Sequence, residues 1–262
     1  MRNKEINDIV DFANHPINNQ DYRSLCKEKL DQNGALVLDK FITNNAINNI
    51  LIEANNNKNK AFYCKNYHNI YLNKKDNSYP DRHPRNREII SSKGCITDDQ
   101  ISDNSALRCL YNSAEFQSFL CSILDEESLY KYYDNLSSIN IHYANNGQEL
   151  GWHFDNSSFA ITLLIQNPND GGKFEYIRDF RYDRNRRDNY ENIENLLDGN
   201  IEPTFLPISP GSLVLFRGSE SIHRVTPVEG ERLRILSVLA YNSEPNIALS
   251  DSARMTFYGR LE

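Results

Sequence analysis

Apolar residues recur at helical spacing in the first half of the chain. Between residues 21 and 30 they return every three or four positions, which predicts a helix that ends near Gly34. A second helix is expected to begin at Thr43, a residue type that caps helix N-termini, and helical spacing returns at 114–124. A short β-type run at 35–41 separates the first two helices. The first half is therefore predicted to be mainly helical, with one strand.

From residue 137 onward the pattern changes to short strands separated by turns rich in Gly, Pro and Asn. The stretch "SINIHY" alternates, so that Ile139, Ile141 and Tyr143 share one face. Short strands without long intervening helices favour an antiparallel sandwich or barrel. The further β-type runs are at 159–165, 173–177, 212–216 and 233–241.

The chain shows no internal repeat and no linker between these two parts, which predicts one α+β domain over residues 1–262. Residues 1–125 would form mainly helical support, and residues 126–262 the strand core. The polar stretch 73–104, which contains "YPDRHPRNR", is expected to be a long surface loop that contributes to substrate binding. Its sequence is compatible both with a lid over a small pocket and with the wall of an open groove.

Composition narrows the classes of partner. The chain has 262 residues, of which 39% are hydrophobic, enough for a sizeable core. A formal net charge of −7 argues against a nucleic-acid partner, because phosphate binding needs a basic surface. No apolar run reaches the length of a membrane span and the polar start "MRNKEINDIVDF" lacks a signal segment, so we expect a cytoplasmic protein. Five widely spaced cysteines without a C-x-x-C pair indicate reduced thiols.

One short motif suggests a metal site. In "LGWHFDNSSF", His153 and Asp155 stand two positions apart, and on a strand such residues point to the same face. Trp152 would then face the opposite side, into packing. The pair alone is weak evidence, but His223 follows a turn and a buried strand seventy residues later and is a candidate third ligand. Two histidines and one carboxylate on one face of an ion are typical of non-haem Fe(II) oxygenases.

The residues after His223 add a possible anion site. Arg232 and Arg234 are two positions apart at the start of the next apolar strand, so both are expected beside the metal. A buried guanidinium needs an anionic partner, and a dicarboxylate cosubstrate would supply one through a bidentate contact. Tyr143, ten residues before His153, is a candidate hydrogen-bond donor to the same carboxylate, with core packing as the alternative.

Longer segments carry a resemblance to a known family. The segments "HNIYL", "DRHPRNR", "LGWHFDNSSFAITLLIQNPNDGGKFEY", "FRGSESIHRVTP" and the terminal "FYGR" are similar to the Fe(II)/2-oxoglutarate-dependent oxygenases. The match is nearest to the branch that contains radical halogenases and hydroxylases of free amino acids such as lysine. It covers the chain from about residue 33 onward. The resemblance implies a distorted double-stranded β-helix, also called a jelly roll, with the N-terminal helices packed on it.

Transferred by position, the resemblance implies an iron triad of His153, Asp155 and His223. It implies that Arg232 pairs with the distal carboxylate of 2-oxoglutarate, with Arg234 as the alternate. Halogenating members carry Gly or Ala where this chain has Asp155, which leaves room for chloride. The aspartate therefore implies hydroxylation with O₂, with release of succinate and CO₂.

The resemblance also implies a small amino-acid substrate, with lysine first and ornithine or arginine next. Asp134 and Glu149 are candidates for an ammonium group, and Arg85 or Arg87 for a carboxylate. Asn242, at the end of the last long strand, is a candidate contact near the reacting carbon. The regiochemistry, the stereochemistry and the oligomeric state do not follow from these residues.

Two other functions remain open at this point. A metal-dependent, cupin-like enzyme that does not use 2-oxoglutarate would keep the triad but leave both arginines unexplained. A jelly-roll binding protein without catalysis would need neither the triad nor the two arginines. A rival metal cluster of His68, Asp81 and His83 lies in a polar region without strand spacing.

Overall fold

The computed structural model describes residues 5–262; the first four residues of the polar N-terminal segment lie outside this part. Its helices are α1 Ile6–Ile9, α2 Gln20–Asn33, α3 Asn44–Asn57, α4 Ala106–Asn112, α5 Ala114–Leu124, α6 Tyr190–Leu197 and α7 Asp251–Tyr258. Its strands are β1 Ala35–Leu38, β2 Phe62–His68, β3 Ile89–Ile96, β4 Tyr130–Lys131, β5 Ile139–Ala144, β6 Leu150–His153, β7 Ala160–Gln166, β8 Asp170–Gly171, β9 Phe174–Ile177, β10 Thr204–Leu206, β11 Leu213–Phe216, β12 Ile222–Val225, β13 Val228–Glu229, β14 Arg234–Leu239 and β15 Tyr241–Asn242.

The predicted helices form where their capping residues stand. The side chain of Asn19 accepts a hydrogen bond from the Tyr22 N–H at the start of α2, which ends at Gly34 in the left-handed conformation (φ 68°). Thr43 accepts from the Ala46 N–H and starts α3. The predictions of helices at 21–30, from Thr43 and at 114–124 are confirmed.

The strands form an eleven-stranded antiparallel sheet in the order β1-β11-β7-β14-β5-β3-β6-β12-β9-β10, with β2 added on β3. Residues from eight of these strands line one cavity, so the sheet curls around it. The outer face of β5 carries Ile139, Ile141 and Tyr143, which belong to the main hydrophobic core together with residues of α2 to α5. The expectation of an α+β jelly roll with N-terminal helices packed on it is confirmed.

The prediction of one long loop over 73–104 is wrong. Its second half contains β3, which pairs with β5 and β6 near the middle of the sheet and with all seven residues of β2. Only residues 69–88 connect β2 to β3 without a strand. The close approach of β3 and β6 requires Gly151, because a Cβ there would lie 2.5 Å from the Ile90 carbonyl oxygen.

The remaining expectations concern chemistry rather than fold. All five cysteines are free thiols, as their spacing indicates. Trp152 is buried in a second, smaller core cluster with Phe154, on the side of β6 away from His153. Within residues 5–262, no helix combines the length and the apolar character that crossing a bilayer requires.

Candidate metal centre

His153, Asp155 and His223 lie close together where the paired strands β6 and β12 meet the cavity. His153 ends β6 and lies directly opposite His223 of β12, and Asp155 follows two residues later. The Asp155 Oδ1 is 3.6 Å from the His153 Nε2 and 3.5 Å from the His223 Nε2. Among the residues described, this is the single cluster of His, Cys, Asp and Glu side chains with the spacing of a metal site. The three residue types match the predicted triad.

Backbone hydrogen bonds orient both imidazole rings. The Nδ1–H of His153 donates to the Gly151 carbonyl at 2.7 Å, and the Nδ1–H of His223 donates to the Ser221 carbonyl at 3.0 Å. Each Nε2 is thereby left as the acceptor nitrogen that faces the carboxylate, as metal-binding histidines require. Burial, with the neighbouring His223, lowers the pKa of His153, so the ring is neutral and able to bind a cation.

Asp155 is held by the loop before β12. Its N–H donates to the Gly218 carbonyl at 3.0 Å. A Cβ on Gly218 would lie 2.6 Å from the Asp155 Cγ, so the carboxylate occupies the space that a side chain would take. Burial raises the pKa of Asp155, but the adjacent His223 and His153 lower it further, and the net shift is downward. The site therefore contains an ionised carboxylate between two imidazole rings, of which His153 is neutral.

The triad opens into a cavity of about 270 Å³ whose wall is mostly apolar. Arg234 lines this cavity and is only 7% exposed. Its Nε donates to the Gly172 carbonyl at 3.1 Å, and burial lowers its pKa to about 10. Within the described part of the chain, no carboxylate lies within ion-pair distance of its guanidinium. Arg234 is thus a buried cation that faces the triad's cavity without a counter-ion.

The structure separates the two arginines, and of the two only Arg234 lines the triad's cavity. Arg232 precedes β14 rather than lying in it, so the expected sharing of a face with Arg234 does not occur. Its side chain is exposed, and its Nη2 donates to the Pro168 carbonyl at 2.8 Å. Arg232 lines a separate, more open cavity of about 350 Å³, which Arg234 also borders.

The placement of Tyr143 beside the cosubstrate is also wrong. Its hydroxyl is fully buried and donates to the Ala54 carbonyl at 2.7 Å, in the helical layer outside the sheet. The alternation of β5 was correctly predicted, but its apolar face packs on the helices. The opposite face turns His142 toward the cavity.

None of the acidic or amide residues expected to hold the substrate lines the triad's cavity. Asp134 instead accepts hydrogen bonds from three backbone N–H groups, which fix a turn. Glu149 borders a small adjacent cavity of about 20 Å³. Asn242 pairs with Tyr130 in the two-stranded sheet of β15 and β4.

The two arginines expected to hold a carboxylate also lie outside this cavity. Arg87 pairs with Asp198 at 2.5 Å and donates to the Leu197 carbonyl, so its guanidinium joins the connection before β3 to the end of α6. The Arg85 guanidinium lies over the Tyr71 ring, 5.3 Å from its centroid.

The rival cluster does not form. His68 hydrogen-bonds with the Ser91 hydroxyl at 2.7 Å, whereas the Asp81 carboxylate pairs with Lys75. His83 stacks on Tyr79 with ring centroids 4.2 Å apart. These contacts are separate.

The sequence analysis did not identify two basic residues of the cavity. Lys93 of β3 and His142 of β5 both line it, and the Lys93 Nζ lies 3.2 and 3.3 Å from the two ring nitrogens of His142. His142 lies on the face of β5 opposite to Ile141 and Tyr143, and the prediction considered only the apolar face. Lys93 lies in the stretch predicted to be a loop, although the β-type residues that flank it in "IISSKGCI" are a signal of a strand.

Similarity to known proteins adds to this geometry. The family model described as Halogenase D matches residues 18–256. The chain belongs to the halogenase D family. No curated protein matches it.

Solved structures show the same fold. An oxidoreductase of the 2OG-Fe(II) oxygenase family from Burkholderia pseudomallei aligns over 88% of this chain and 94% of its own, with 12% identity and a TM-score of 0.53. HygX from Streptomyces hygroscopicus, solved with nickel, 2-oxoglutarate and hygromycin B, aligns over 88% and 93%, with 13% identity and a TM-score of 0.54. The epimerase SnoN, in complex with Fe³⁺, α-ketoglutarate and nogalamycin RO, aligns over 85% and 84%, with 9% identity and a TM-score of 0.56. The halogenase D chain described here therefore has the fold of 2OG-Fe(II) oxygenases.

Proposed function

We propose that the protein is an Fe(II)- and 2-oxoglutarate-dependent hydroxylase that acts on a free amino acid. The observation that carries this proposal is the joint placement of the His153, Asp155 and His223 triad and an unpaired, buried Arg234 around one cavity. A metal site alone would fit a cupin-like enzyme of another type. A buried cation without a counter-ion would be a cost to a protein that only packs this cavity.

The donor set fits ferrous iron. Two imidazole nitrogens and one ionised carboxylate oxygen lie close together on one side of the cavity, which leaves the other side for exchangeable ligands. The backbone carbonyls of Gly151 and Ser221 fix the rings without using the Nε2 atoms. Zinc or nickel could occupy the same atoms in vitro, so iron must be tested directly.

Arg234 fits the distal carboxylate of 2-oxoglutarate. It lies at the start of β14 and lines the same cavity as the triad, whose wall is mostly apolar. A dicarboxylate would neutralise the guanidinium at one end and bind the metal at the other. HygX and SnoN, which share the fold, bind 2-oxoglutarate or α-ketoglutarate. When bound, Fe(II) with 2-oxoglutarate and O₂ supplies the oxidising chemistry that hydroxylates a C–H bond and yields succinate and CO₂.

What the chain itself contributes is position and exclusion of water. His153 and His223 hold the metal on one side, and the apolar wall of the cavity keeps the reacting carbon away from bulk solvent. Asp155 contributes a negative ligand where chloride would otherwise bind. Gly218 leaves this carboxylate its space, so the loop is shaped around the aspartate.

Chlorination is the second candidate function, because the matching family is described as a halogenase. The Asp155 carboxylate favours hydroxylation instead. A free amino acid, with L-lysine first, is the substrate to test, on the strength of the resemblance of the motifs and of a cavity whose size suits a small molecule.

The test is mass spectrometry of a mixture of free amino acids incubated with the iron-loaded protein, 2-oxoglutarate, O₂ and chloride. One amino acid should gain a single oxygen while succinate accumulates, and the Asp155→Gly variant should lose this product. A chlorinated product from the unaltered protein would favour the second candidate. Absence of iron binding and of 2-oxoglutarate consumption would contradict both.

A further inference from the structure

Lys93 is a partly buried lysine that the triad and its cosubstrate do not use. It lies in the middle of β3 and lines the same cavity as His153 and Asp155. In the described residues no carboxylate lies within ion-pair distance of its Nζ; its near neighbours are the His142 ring and, at 5.5 Å, the centre of the Phe257 ring. Both can accept a cation at their faces or lone pairs, but neither brings a negative charge.

Lys93 and Arg234 lie on the two strands that flank β5, and both line the cavity. Arg234 is opposite Ala144, and Gly94 is opposite Tyr143, so Lys93 continues the register on the other side of Ala144. Two strand spacings separate the two backbones by about 10 Å. The Arg234 guanidinium is directed to the Gly172 carbonyl, whereas the Lys93 Nζ lies by His142 and by Phe257 of α7, a ring that is 37% exposed. The two head groups therefore have different nearest partners at the cavity.

A charge balance indicates what Lys93 needs. Bound Fe(II), Arg234 and Lys93 bring positive charges, and Asp155 is the ionised carboxylate that lines the cavity. Asp155 neutralises one of the two positive charges of Fe(II). The two carboxylates of 2-oxoglutarate neutralise the other one and the charge of Arg234. The Lys93 charge then remains without an anion, in a site where an uncompensated charge is costly.

We infer that Lys93 binds a carboxylate of the substrate, in the part of the cavity beside His142. This inference rests on the proposed function, because it presupposes that 2-oxoglutarate occupies Arg234. It assigns to Lys93 the role that the sequence had suggested for Arg85 or Arg87, whose guanidinium groups lie elsewhere. The substrate is then an acid or a zwitterion whose carboxylate points away from the iron.

The test compares acids with their amides. L-lysine and L-lysinamide, and L-norleucine and L-norleucinamide, are titrated by calorimetry into the iron- and 2-oxoglutarate-loaded protein without O₂. The unaltered protein should bind each acid about ten- to a hundredfold more tightly than its amide, the range for a hydrogen bond to a charged group. Lys93→Met should bind the two forms within twofold, and Lys93→Arg should keep part of the preference. The affinity for 2-oxoglutarate should stay within about threefold in both variants.

Several controls separate the outcomes. Lys65→Met removes an exposed lysine of the neighbouring strand β2 and should change nothing. Lys93→Met should fold, because it removes a partly buried ammonium group that has no carboxylate partner and nearly keeps the side chain's length. Retention of the full preference for acids by Lys93→Met would overturn the inference, as would a loss of affinity for 2-oxoglutarate alone in that variant. Equal or undetectable binding of acids and amides by the unaltered protein, with 2-oxoglutarate bound, overturns the role of Lys93 and leaves the iron enzyme standing. Failure to bind iron and 2-oxoglutarate defeats the proposed function itself.

Discussion

The contact between Gly218 and Asp155 permits a sharp test of the metal site. A Cβ at position 218 would lie 2.6 Å from the Asp155 Cγ, about 1 Å closer than a normal contact between carbon atoms. Gly218 has no left-handed φ, so the Gly218→Ala backbone is unstrained and the carboxylate must move by about 1 Å. Metal–ligand distances tolerate only about 0.2 Å. Gly218→Ala should therefore weaken iron binding about 10- to 100-fold and reduce hydroxylation at least about 100-fold.

The measurements are an anaerobic Fe(II) titration, product formation by mass spectrometry, and chemical denaturation of the metal-free protein. The free energy of unfolding should fall by about 1–3 kcal/mol, the usual cost of one extra carbon in a packed site, so the protein remains folded. The matched control is the double variant Asp155→Gly/Gly218→Ala. There the methyl group has no carboxylate to meet, and it should cost no further iron affinity beyond that of Asp155→Gly. Iron affinity and hydroxylation within twofold of the unaltered protein in Gly218→Ala would refute the assignment of Asp155 as a ligand.

Three further predictions follow from the cavity. Arg234→Met should weaken the binding of 2-oxoglutarate, measured by calorimetry, about 10- to 100-fold, and the matched Arg232→Met should leave it unchanged; equal effects would contradict the placement of the two arginines. Tyr143→Phe should lower the free energy of unfolding by about 1–2 kcal/mol without changing the Michaelis constant for the cosubstrate, and a raised Michaelis constant would return the hydroxyl to the cosubstrate. Burial, then Lys93 and Arg234, hold the pKa of His142 well below its ordinary 6.5, so the unfolded ring takes up a proton that the folded ring does not. Stability of the metal-free protein should thus fall as pH drops from 6.5 to 5, by at most about 1.4 kcal/mol per pH unit from this ring, and His142→Gln should flatten the slope measured by denaturation; an unchanged slope would show that other groups cause it.

The triad was predictable because its residues sit in local patterns that constrain geometry. His153 and Asp155 are two apart at the end of an alternating strand, and the pleat of a strand brings such residues to one side. His223 was found because a turn and an apolar run precede it, which predicted an adjacent strand end. The number of residues between His153 and His223 does not determine how far apart they lie in space. The direct pairing of the two residues across β6 and β12 does.

The predicted roles of residues around the cavity were wrong where a sequence pattern is compatible with two arrangements in space. Alternation in β5 separates Tyr143 from His142, but does not say which face meets the helices. The apolar face, with Tyr143, packs on the helices, so His142 on the other face lines the cavity. The spacing of Arg232 and Arg234 would place both on one face only if both lay in the strand, and β14 begins at Arg234. A strand boundary misplaced by two residues changed which cation faces the cavity.

The unexpected strand β3 shows why a cavity weakens the sequence signal of its own wall. Lys93 must be polar because it faces the site, and Ser91 must be polar because its hydroxyl accepts from the Gly151 N–H and bonds with His68. A central strand of a solid core would carry apolar residues at both positions. The same polarity that made "IISSKGCI" look like part of a loop is therefore what a strand beside a charged ligand requires. If Lys93 binds the substrate, the least strand-like segment of the sheet is the one that sets which acid the enzyme accepts, and its interruption of the apolar pattern is a sign of the binding site rather than of a loop.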